Sequence, residues 1–91
     1  MTLEQLRRLK AMGALESLVG VEVLCLKQTH NARMEPVYIT KGTRHRIEWF
    51  NDYEHLGLFQ THPKKCAHNK NTVVSIQELA ANFRLIKEPK P

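Results

Sequence analysis

The apolar periodicity of this chain changes at Gly20, and that change limits the fold more than any other feature. Before it, Leu3, Leu6, Leu9, Met12, Leu15 and Leu18 recur at every third position. An α-helix turns about 100° per residue, so a spacing of three slips by about 60° at each step. Six such residues wrap right round a straight helix, and a small domain cannot bury a helix on every side. A break near Gly13 resolves the conflict, because glycine inside a helix costs about 1 kcal/mol relative to alanine. The spacing therefore predicts a helix over residues 2–12 and a short turn to about 18, each with one apolar arc. Thr2 and Gln5 form a capping box at its start. The alternative is an unbroken helix whose second apolar face meets a partner chain.

Beyond Gly20 the period is two. Val21 to Lys27 is rich in β-branched residues and reads as a strand, with either Val21, Val23 and Cys25 or Leu24 and Leu26 facing inward. Gln28 to Glu35 is polar and loop-like, and Val37-Tyr38-Ile39 can form a short strand after Pro36. Thr40-Lys41-Gly42-Thr43 is a turn signal. In Arg44-His45-Arg46-Ile47-Glu48-Trp49-Phe50, His45, Ile47 and Trp49 share one face while Arg44, Arg46 and Glu48 share the other. That is the alternation of a half-buried antiparallel strand. Asn51 to His55 is a turn, Leu56 to Thr61 returns as a strand, and residues 62–71 are a loop. Thr72 to Ser75 is a further strand. Ser75 and Glu78 make a second capping box, opening one helical turn to Ala81. Phe83 to Ile86 is a last short strand. The expected fold class is mainly β (α+β), with five of these short strands forming a small, strongly bent barrel. The expected organisation is a helical arm over 1–19, a barrel over 20–86 and a disordered tail over 87–91. The arm either lies across an open end of the barrel or reaches out to a partner.

Several of these segments resemble small phage and prophage proteins with an SH3-like barrel. The resemblance rests on Val23 to Lys27 (a V-x-C-hydrophobic-K strand), the Lys41-Gly42 turn with His45 and Ile47 after it, Ser75 to Leu79, and Phe83 to Ile86. It covers about two thirds of the chain and leaves out the N-terminal arm. Arg44 stands where that pattern more usually has an apolar residue and His45 where it has an aromatic; the 62–71 loop is longer. The resemblance implies an SH3-like barrel preceded by a helix, and the setting of an accessory gene of a bacterial virus or prophage. It implies no catalytic residue.

With 91 residues the chain is one domain with a small core. No apolar run approaches the roughly 20 residues of a membrane span. Charged residues every few positions in the first ten do not read as a secretory signal. A cytoplasmic protein with reduced Cys25 and Cys66, here in a bacterial host cell, is the expectation. The formal charge of +5 is unevenly spread. Lys27, Arg33, Lys41, Arg44 and Arg46 face Glu35 alone between residues 27 and 47, and residues 55–77 hold Lys64, Lys65 and Lys70 with no acid. Such a positive field attracts polyanions, either nucleic acid or an acidic protein surface. The same charges also serve simply to keep a protein soluble.

The segment His62-Pro-Lys-Lys-Cys66-Ala-His68 concentrates potential metal ligands. His62, Cys66 and His68 could supply two or three of the four ligands zinc wants, and Cys25 and His30 could add others. No paired C-x-x-C spacing supports this, and a cysteine inside a strand usually behaves as a small hydrophobe. A cationic surface loop without metal or cofactor is the expectation. Nothing resembles a nucleophile with its base and oxyanion hole, a carboxylate pair or a phosphate-cradling glycine loop, so no enzyme is expected. What remains is a binding face. Arg44 and Arg46 alternate outward about 6.5–7 Å apart, a spacing suited to neighbouring phosphates. Lys64, Lys65 and Lys70 can flank them. Tyr53, with Tyr38 and Phe50, can stack bases, while Trp49 and Phe59 are assigned to the core.

Two functions fit. The leading one is a non-enzymatic phage-type accessory protein that engages or inhibits a host protein of nucleic-acid metabolism through its basic face. The other is direct, largely nonspecific nucleic-acid binding by the same face. The surplus leucines of the arm would suit a partner contact or a homodimer.

Overall fold

A computed structural model describes residues 1–30, 38–63 and 72–87 of the chain. Helix α1 spans Leu3–Ala11 and is followed by a 3-10 turn over Leu15–Leu18. Strands β1 (Glu22–Cys25), β2 (Thr29–His30), β3 (Tyr38–Ile39), β4 (Arg44–Phe50), β5 (His55–His62) and β6 (Thr72–Ser75) follow. Helix α2 (Ile76–Asn82) leads directly into β7 (Phe83–Lys87). Five strands form one curled antiparallel sheet, a half-barrel, in the order β6-β5-β4-β1-β7; β2 and β3 pair apart from it as a short ribbon. Thr29 and His30 were expected in a loop; their pairing with Ile39 and Tyr38 makes the ribbon.

The break at Gly13 is present, with Gly13 at φ 67°. Both capping boxes form. The Gln5 N–H donates to Thr2 Oγ1 at 3.1 Å while Thr2 N–H donates to Gln5 Oε1 at 2.9 Å. Ser75 and Glu78 repeat the exchange at the start of α2. The 60° slip then sets burial along α1. Leu6 is fully buried, Leu3 and Leu9 on either side of it are half-buried against the core, and Met12, a further step round, is 76% exposed. The helix therefore packs into its own chain's core, beside α2. After the break, Leu15 and Leu18 turn inward to the same core.

That core lies on one side of the sheet. Val23, Cys25, Ile47, Leu56, Leu58, Val74 and Phe83 point into it, joined by Ile76 and Leu79 of α2. At its rim the fold uses hydrogen bonds. The Cys25 thiol donates to the Lys27 carbonyl at 3.1 Å, and the Thr29 hydroxyl donates to the same carbonyl at 2.8 Å. Asn82 Nδ2 donates to Thr29 Oγ1 at 3.0 Å, tying the end of α2 to the ribbon. Burial pushes the Cys25 thiol above its ordinary pKa. His45 is also buried. The Thr43 hydroxyl donates its proton to the Thr40 carbonyl at 2.6 Å, so it can only accept at the 2.7 Å contact with His45 Nε2, which places the ring proton on Nε2.

Two aromatic assignments need correction. Trp49 and Phe59, expected in the core, lie on the outer face. Ile47 pairs with Leu58 but Trp49 pairs with Gly57, so Glu48 is an extra residue on β4. One extra residue reverses the alternation beyond it. Trp49 turns outward, and Phe50, opposite Leu56, turns in against the core. The Trp49 indole lies over Gly57, where any Cβ would collide with the ring. Phe59 is two residues from Gly57 on β5, shares its outward face, and is 41% exposed. Among the described residues no helix is long and apolar enough to cross a membrane.

Candidate interaction face

Register assigns the outer side of the sheet row by row, because residues paired directly across antiparallel strands share a face. One row runs Arg84 (β7), Leu24 (β1), Arg44 (β4), His62 (β5). The next runs Lys87, Glu22, Arg46, Phe59, and beyond it Trp49, Gly57 and Val73 align. Arg44, Arg46 and Arg84 are all exposed, and Leu24 is half-buried between two of them. Leu26, just past the end of β1, is 44% exposed. Leu24 on β1 is thus flanked by a cation on each neighbouring strand.

The arginines are not equivalent. Arg46 Nη2 donates to Glu48 Oε1 at 2.9 Å, and its Nε reaches Oε2 at 3.4 Å. Its guanidinium carbon lies 5.1 Å from the centre of the Phe59 ring, a cation–π contact. The hydrogen bond to Glu48 holds this guanidinium still more firmly protonated than usual. Arg46 is therefore engaged by an acid and a ring on its own surface. Among the described residues neither Arg44 nor Arg84 has an ion-pair partner. The side-by-side placement expected of Arg44 and Arg46 is present, but the pair offers one available charge.

Arg84 was missed. Nothing near it in sequence marks it; it joins the face only because the last strand pairs with the first. Tyr53 does not join. It sits at the apex of the β4–β5 turn, 81% exposed, and the length of β4 puts it roughly 20 Å from Arg44. Asn51 Oδ1 accepts from the N–H groups of Tyr53 and His55 and shapes that turn. Glu54 there adopts φ 63°, unusual for a residue with a side chain; its carbonyl accepts from the first N–H of α2 at 2.9 Å, and its carboxylate lies 3.6 Å from Lys10 Nζ. Tyr38, in the ribbon, meets His30 edge-on at 5.3 Å. Phe50 is occupied against the core.

Lys64, Lys65, Cys66, His68 and Lys70 lie outside the described residues. His62 is exposed at the end of β5. Among the described residues no group of three His, Cys, Asp or Glu side chains is placed to hold a metal. Cys25, buried and with its pKa raised, has the opposite of the environment that makes a thiolate reactive. Among the described residues this face offers two guanidinium groups without an ion-pair partner, Leu24 between them, and an Arg46 held by Glu48 and lying over Phe59. Comparison with family models, with curated proteins and with solved structures finds no match to this chain.

Proposed function

We propose that this protein is a non-catalytic accessory binding module of the phage type, acting in the cytoplasm of a bacterial host. It engages, and by occupancy inhibits, a host protein of nucleic-acid metabolism through the outer face of its sheet. The observation that carries this reading is the row Arg84–Leu24–Arg44 beside an Arg46 already held by Glu48. Arginine and aromatic side chains around an apolar centre are what protein interfaces concentrate. A comb of phosphate-binding cations would not place Glu22 and Glu48 within it. The strand order, the helix between the last two strands and the ribbon in the long β1–β4 connection support the SH3-like reading of the barrel.

The exposed Phe59 supports the second reading, direct nucleic-acid binding, since an accessible ring beside arginines can stack a base. One pair of measurements separates the two. Capture of a nucleic-acid-processing protein from nuclease-treated bacterial lysate, lost when Arg44 and Arg84 are both changed to Glu, is the expected result. A gel shift with DNA or RNA at low salt that falls steeply as salt rises, together with no nuclease-resistant capture, would replace the first reading by the second.

A further inference from the structure

Building on that reading, we propose that the partner offers an extended acidic segment that crosses the strands at Leu24, with an aliphatic side chain on Leu24 and a carboxylate on each of Arg44 and Arg84. Neighbouring strands lie about 4.8 Å apart, so the two arginine Cα atoms stand that far on either side of Leu24. In an extended segment, residues i, i+2 and i+4 point the same way at steps of about 6.8 Å. A pattern acidic-x-aliphatic-x-acidic therefore lays its middle side chain on Leu24 and brings its outer carboxylates slightly beyond the arginine backbones, within reach of guanidinium groups that can grip them bidentately.

The next row fixes the register. There Glu22 lies between Lys87 and Arg46, and Arg46 is already paired with Glu48. Shifted to that row, the pattern would lay its aliphatic side chain on the Glu22 carboxylate and bring one outer carboxylate to an arginine that Glu48 already holds. The acidic pattern thus fits one row of the face, and Leu26, exposed just past the end of β1 on the side away from Glu22, adds a neighbouring aliphatic side chain. A phosphate chain fits less well, because it would cover Leu24 and Leu26 without burying apolar surface of its own.

The test is fluorescence anisotropy at moderate salt with the full chain and three labelled probes. They are a short Gly/Ser-based peptide carrying Glu-x-Leu-x-Glu, the same peptide with Ser for Leu, and a single-stranded oligonucleotide of matched charge. The Leu peptide should bind, the Ser peptide about tenfold more weakly, and Arg84→Glu should weaken the Leu peptide by about tenfold or more. Arg84→Gln should give an intermediate loss with an unchanged unfolding midpoint, which separates lost recognition from lost folding. Equal binding of the two peptides, tighter binding of the oligonucleotide, or indifference to Arg84→Glu would each overturn the proposal. If no peptide binds while lysate capture still depends on Arg44 and Arg84, the segment is wrong and the docking face stands. If capture is indifferent as well, both fall.

Discussion

The two sides of the curled sheet are made from alternate residues of the same strands, and they carry different burdens. On the inner side Val23, Cys25, Ile47, Leu58 and Phe83 are buried in one cluster with Leu6 of α1 and Ile76 and Leu79 of α2. On the outer side Leu24, Arg44, Arg46, Phe59 and Arg84 reach solvent. A chain of this length has one core, and it lies wholly on the inner side; the outer side is thereby left to vary in charge without threatening the fold. The bulge at Glu48 is where the two sides trade places, sending Trp49 out and Phe50 in.

The sharpest way to break that contrast is to alter two positions of β4 that face opposite sides. Ile47→Ala opens a cavity in the core and should cost about 2–5 kcal/mol in denaturant unfolding. Arg44→Ala, three residues earlier and on the other side, should stay within about 0.5 kcal/mol of the parent. Equal losses would erase the distinction. The exchange point is probed by Gly57→Val. The new side chain must displace the Trp49 indole, with an expected loss of about 1–3 kcal/mol. Trp49 is the one tryptophan, so its emission should shift to the red at the same time. Unchanged emission would mean that the indole does not rest on Gly57.

Titration sharpens the contrast from the inner side. The Cys25 thiol has an ordinary value of 9.0 and is pushed above it in the folded chain by burial. The folded state therefore holds the proton more tightly than the unfolded one. The stability linked to it is complete below pH 9 and is lost as pH rises through the raised value. Stability measured from neutral into the alkaline range should fall more steeply for the parent than for Cys25→Val; parallel curves would contradict the burial of a protonated thiol. The smallest effect belongs to the outer side. A double-mutant cycle on Arg46 and Phe59 should return a coupling of about 0.5–1 kcal/mol, the size of an exposed cation–π contact.

How much of this was legible in the sequence depended on how local the signal was. β4 and β6 match their predicted spans, since alternation and flanking turns are written within each segment. Both capping boxes and the break at Gly13 were legible for the same reason. Trp49 was misplaced because a bulge is visible only in the pairing of two strands, and one extra residue reverses every side chain after it. Phe59 was misplaced because a large aromatic in a strand usually marks the core; here it carries an arginine on its face. The pairing of Arg46 was partly legible, as Glu48 shares its strand face. Arg84 was not, because its place beside Leu24 depends on a pairing between the two ends of the fold.

The central claim is that the outer face recognises a protein while the inner face holds the fold. It is tested most directly by Arg84→Glu, with unfolding and nuclease-resistant capture followed on the same sample. The account predicts an unfolding free energy within about 0.5 kcal/mol of the parent and capture reduced about tenfold or more. A variant that unfolds like the parent and still captures its partner as well as the parent does would contradict it.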